Sequence, residues 1–110
     1  MFKKDKTARG YRVFHFNDDY NITCSLQESS SVEPHIWLGI DEPEHKIKYK
    51  DSEALGLGLQ KLYPECNEDG WCNYPIPQEV LVSSRMHLNQ KQAKKLGEAL
   101  LKFAERGDLK

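Results

Sequence analysis

Ser83-Ser84-Arg85-Met86-His87-Leu88-Asn89 runs without a break into the amphipathic stretch that closes the chain. Asn89 is a good N-cap, and Gln92 stands three residues on, where it completes a capping box. Leu96, Leu100 and Phe103 recur at helical spacing, with Ala93, Ala99 and Ala104 filling out the apolar face. Gly107 follows where a left-handed C-cap is wanted. The spacing predicts a helix over 89–106, about 25 Å long at about 1.5 Å per residue. Upstream, extended backbone over 80–88 puts Val80, Val82, Met86 and Leu88 on one face and Leu81, Ser83, Arg85 and His87 on the other. An arginine and a histidine two apart on a strand, beside a helix N-terminus, can hold an anionic ligand.

Outward from that segment the chain reads as short strands. Residues 11–16 are aromatic and β-branched, 17–19 make a turn, and 20–27 alternate. Together they predict a hairpin. His35–Ile40 is a third strand, and Pro34 cannot sit in a central strand position. Ile47 and Tyr49 suggest a short strand. Asp51 or Ser52 could then cap a helix carrying Leu55, Leu59 and Leu62, against which Gly56 and Gly58 argue at about 1 kcal/mol each. Pro64, Gly70, Pro75 and Pro77 make 63–79 a long irregular loop, with Tyr63, Trp71 and Tyr74 for its own packing or for stacking a base. Residues 1–9 read as a flexible basic arm. The whole is a single α+β domain, 1–110: an antiparallel sheet of four to five strands with the C-terminal amphipathic helix packed on one face.

Composition narrows the function. With 38% apolar and 30% charged residues the chain is globular and soluble, and no apolar run approaches the ~18 residues of a membrane span. No apolar run follows the basic N-terminal residues as a signal peptide requires, so Cys24, Cys66 and Cys72 are expected as reduced thiols in a cytoplasm. The net charge of -1 disfavours duplex DNA. It conceals a segregation, since 41–69 hold eight acids against four lysines while both ends are basic.

Asn21, Thr23, Ser25 and Gln27 form a strand face with no charge, suited to a ribose or a base edge, or else simply exposed to solvent. Arg85 either binds a ligand or pairs with Glu79 or Glu28; His87 either joins it or fixes the helix start. Cys66 and Cys72 are too widely spaced for a structural zinc pair, so no metal is expected. Ser83, Ser84 and His87, with Asp41 as a third member, lack a nucleophile elbow and an oxyanion loop, so no catalysis and no cofactor are expected.

The runs Cys24-Ser25-Leu26-Gln27-Glu28-Ser29-Ser30-Ser31, Ile36-Trp37-Leu38-Gly39-Ile40-Asp41, Arg85-Met86-His87-Leu88-Asn89 and 100–109, in that order, resemble a group of small proteins widespread in bacteriophage genomes. The layout of sheet and closing helix is similar to the phage anti-Thoeris sponge proteins. That resemblance implies a homo-oligomer in the host cell cytoplasm that sequesters a cyclic nucleotide immune signal, a cyclic ADP-ribose isomer or a cyclic oligonucleotide, without cleaving it. No site residue is carried over from that group. The ligand-binding candidates read from this sequence are Arg85, His87, Asn89, Ser83, Thr23, Ser25, Gln27, Trp37 and Trp71. The alternative is a protein-binding inhibitor of a host nuclease or CRISPR effector, its acidic stretch 41–69 mimicking nucleic acid.

Overall fold

The computed structural model describes residues 2–56 and 70–110. It divides into two compact units, residues 1–42 with 84–110, and residues 43–83. In the first, β1 (Lys3–Lys6), β2 (Arg12–Asn17), β3 (Thr23–Glu28), β4 (His35–Ile40) and a later strand, Arg85–Asn89, form one five-stranded antiparallel sheet. Strand order follows the chain, and the segment 43–83 is inserted between the last two strands. In the second unit, β5 (Lys46–Lys48) pairs with β6 (Trp71–Asn73), and α1 (Tyr49–Ala54) leads on from β5. Arg85–Asn89 is therefore β7, and the closing helix Gln90–Arg106 is α2.

Alternation gives the sheet two unlike faces. Phe14, Leu26, Leu38 and Met86 lie in register across the apolar face, with Phe16, Ile36 and Leu88 beside them. Helix α2 packs on this side, where Ala93, Leu96 and Leu100 face Leu26, Ile36, Leu38 and Leu88 across an apolar cavity of about 390 Å³. Phe2 lies against Phe16, ring centroids 4.9 Å apart, at the open end of that cavity. The opposite face carries Val13, Gln27, Trp37 and His87 in one row and His15, Ser25, Gly39 and Arg85 in the next.

Local chemistry fixes the ends of α2. The Asn89 side chain accepts from the Gln92 N–H at 2.8 Å, and the Gln92 side chain accepts from the Asn89 N–H at 3.1 Å. Gly107, at φ 77°, closes the helix by donating its N–H to the Phe103 carbonyl.

Several expectations need correction. Residues 3–6 are an edge strand rather than a frayed arm; their lysines are exposed because they guard the edge. Strand β3 begins at Thr23, not residue 20, because Asp18 Oδ1 accepts the N–H groups of both Tyr20 and Ile22 and Asn21 turns left-handed at φ 64°. Strand β7 begins at Arg85, not residue 80: its first partner is Gly39, and β4 has only one residue left beyond that pair. Val80, Val82 and Leu81 lie outside it and are exposed. Helix α1 starts from Lys48 without a side-chain cap and stops at Leu55, where Gly56 turns left-handed at φ 67°. Leu59 and Leu62 lie outside the described residues. Within 63–79, expected as irregular throughout, 71–73 form β6, and 63–69 lie outside the described residues. Cys72 is fully buried and disulfide-bonded, while Cys24 is a free thiol. Cys66 lies outside the described residues. Among the described residues of this unit only Tyr49, Ser52 and Cys72 are buried, and a disulfide adds to what so small a core supplies; the cysteines therefore do not argue for a reducing compartment. No helix among the described residues is long and apolar enough to cross a membrane.

Two stability measurements follow from these details. Asn89→Ala should cost about 1 kcal/mol in denaturant unfolding, and Asn89→Ser should recover most of it. Burial, with Asp18 and Asp41 nearby, raises the Cys24 thiol above its ordinary value of 9.0. The unfolded chain then releases this proton at lower pH than the folded one, so stability contributed below 9.0 is lost as pH rises through the folded value. Thermal melting should therefore fall as the pH rises above 9.0 more steeply in the wild type than in Cys24→Ala.

Candidate functional site

Strands β4 and β7 interleave their side chains on the polar face. In order across the two strands come His35, His87, Trp37 and Arg85. The His87 ring stacks on His35 at 4.6 Å between centroids and 21° between planes, and on Trp37 at 4.1 Å and 26°. The Arg85 guanidinium lies over Trp37, 5.4 Å from the ring centroid, and its Nη1 donates to Gln27 Oε1 at 3.2 Å. A strand pair builds such a ladder because residues two apart on each strand share a face and cross-strand neighbours come within side-chain reach.

The serine loop after β3 holds the two imidazoles. Ser29 Oγ and His87 Nε2 share a hydrogen bond of 2.8 Å. His35 Nδ1 lies 2.9 Å from the Glu33 carbonyl, which can only accept, so Nδ1 carries a proton there. Ser31 Oγ donates to the same carbonyl at 2.7 Å. Gln27, Ser29, Ser31 and Trp37 come from adjoining segments of the chain, and Arg85 and His87, from far along it, meet them on this one patch.

Arg85 makes no ion pair among the described residues. Glu28, one of its two candidate partners, accepts instead from the Arg12 N–H at 2.7 Å and lies 4.0 Å from the Arg12 guanidinium. An arginine on an aromatic plane, held by a neutral amide and not neutralised by a carboxylate, keeps its charge available to an anion. Gly39 makes room for it. A Cβ built at Gly39 would collide with the Ser84 carbonyl oxygen, lie 2.7 Å from Arg85 Cα and crowd Arg85 Cγ at 3.2 Å.

The other candidates divide. Gln27 and Trp37 belong to the patch. Ser25 does not reach it: it is 2% exposed and donates to Asp41 Oδ1 at 2.6 Å, with His15 4.0 Å away on the other carboxylate oxygen. Thr23 is exposed at the far end of β3, paired with Asn17. The Asn89 side chain is spent on the helix cap. Ser83 and Trp71 belong to the unit 43–83, where Lys48 lies 5.5 Å over the Trp71 ring. Ser84, in the first unit, donates to the Ile40 carbonyl at 2.5 Å. The trio of serine, His87 and Asp41 is therefore dispersed among other partners. Sequence reasoning passed over His35 and Ser29. The alternation of His35, Trp37 and Gly39 was the available signal for the first; nothing local marks the second.

Gly39→Ala should destabilise the fold by about 1–3 kcal/mol, because backbone and not a flexible tip occupies the space. Gly97→Ala, on α2 with nothing within 4 Å of its Cβ, should instead stabilise by up to about 1 kcal/mol. Denaturant unfolding of the two variants tests the contrast. Comparison of the chain with protein-family models, with curated proteins and with solved structures finds no match in any of the three.

Proposed function

We propose that this protein is a phage anti-defence binder that sequesters a cyclic nucleotide immune signal, a cyclic ADP-ribose isomer or a cyclic oligonucleotide, without cleaving it. The observation that carries the reading is the ladder of His35, His87, Trp37 and Arg85, with an arginine that no carboxylate neutralises among the described residues. Aromatic planes and guanidinium groups are what bases stack on and phosphates pair with. The Gln27 amide and the serine hydroxyls beside them offer the uncharged contacts a ribose needs.

On this reading the protein works in the host cytoplasm, where such signals are made, and as a homo-oligomer. Self-association is supported by the apolar side chains left in solvent around the α2 cavity, with Phe2 61%, Leu100 57% and Phe103 54% exposed.

Calorimetric titration against cyclic ADP-ribose isomers and cyclic di- and trinucleotides tests the reading, with recovery of the ligand after heating. We expect one of these to bind and to be released chemically unchanged. Arg85→Ala should weaken that binding at least tenfold while leaving the circular dichroism spectrum intact. Absence of heat with every nucleotide, or release of an altered ligand, overturns the proposal.

A further inference from the structure

A second feature of the polar face lies beside the ladder. The turn joining β1 to β2 is tied by the Thr7 N–H donating to the Tyr11 carbonyl and the Tyr11 N–H donating to Thr7 Oγ1. It borders a cavity of about 280 Å³ lined by Arg9, Tyr11, Gln27, Ser30 and Trp37, among others. That is just below the size at which sites for drug-sized ligands begin, room for one heterocycle with its sugar. Arg9 lies over the Tyr11 ring, 5.5 Å from its centroid, and makes no ion pair among the described residues. The Gln27 carbonyl oxygen is taken by Arg85, which turns its amide nitrogen, a donor, elsewhere. Glu28 also borders the cavity, but the Arg12 backbone and guanidinium hold its carboxylate.

We propose that this cavity is a nucleoside-phosphate subsite, in which Arg9 takes the phosphate, Tyr11 the face of the base and Gln27 a base or ribose acceptor. The inference rests on the nucleotide-binding reading above and names the moiety that a single chain accommodates. Its chemistry makes phosphate and base act together. In the structure Arg9 covers the Tyr11 ring by a weak cation–π contact. An ionised phosphate offers Arg9 a stronger, bidentate partner. Once Arg9 moves to it, the face of Tyr11 is free for the base. The phosphate thus uncovers the surface on which the base stacks.

Calorimetric titration with AMP, adenosine and inorganic phosphate tests this, using the wild type and the Arg9→Ala and Tyr11→Ala variants. Wild type should bind AMP at least tenfold more tightly than adenosine or phosphate. Arg9→Ala should weaken AMP at least tenfold and leave adenosine binding equal or improved, because the ring is already bare. Tyr11→Ala should weaken AMP and adenosine alike. Arg9 is exposed on a turn, so its variant folds even where the Tyr11 variant does not. Inorganic phosphate binding as tightly as AMP overturns the proposal in favour of a plain anion site. AMP binding unchanged in Arg9→Ala overturns it too. A cyclic nucleotide that binds in an Arg85-dependent way while AMP does not overturns the subsite alone. Absence of binding by any nucleotide overturns both the subsite and the function it rests on.

Discussion

The pairing of β4 with β7 is the constraint on which the polar face depends. It sets Trp37 opposite His87 and Gly39 opposite Arg85. A slip of one residue would send Arg85 and His87 to the apolar side and take Leu88 off it, so the register is tied to the two unlike faces. Gly39 is what lets the two strands meet there at all, since its neighbour's backbone fills the space a side chain would take. Trp37 and His87 then follow as a cross-strand aromatic pair, a contact that stabilises a sheet as well as building a site.

The two faces divide the work. The apolar face, under α2, carries the hydrophobic rows, which are half-buried between sheet and helix. The polar face has few charges, and its order comes from hydrogen bonds instead. Ser25 is buried against Asp41, Gln27 receives Arg85, and Ser29 meets His87. Each of these pairs joins residues distant in sequence, so the bonds cross-link the face. Such cross-linking would serve the proposed binding, because a stacking platform already in place loses little conformational freedom when a ligand arrives.

What could be read from the residues alone was whatever is local. Helix α2 was legible to within a residue because its cap, its apolar spacing and its closing glycine all lie in the helix or beside it. His35–Ile40 was legible for the same reason. The start of β7 was not, because a strand's length is set by its partner, and β4 runs out. Edge strand β1 hid behind its lysines, and three-residue β6 is too short to show alternation. Of the polar patch, Arg85, His87 and Gln27 were legible from strand face and chemistry, and Trp37 from its aromatic plane alone. Thr23, Ser25 and Ser83 were chosen by the same face argument, Asn89 as the helix start and Trp71 as an aromatic plane; the Asp41 partner of Ser25, the capping role that occupies Asn89, and the place of Ser83 and Trp71 in the other unit lay beyond it. The Cys72 disulfide lay beyond it as well.

The insertion of residues 43–83 between neighbouring strands carries a consequence for assembly. Strands β1 to β4 are joined by short turns, so they form from contacts close in the chain. Strand β7 can join only after a long excursion has closed, and closure entropy must be met before its contacts repay it. Half of the aromatic ladder arrives on that last strand. Completion of the sheet and completion of the ladder are therefore one event. A ligand spanning Trp37 and Arg85, as proposed, would draw the chain toward its finished state by mass action, acting as a clasp on the final strand.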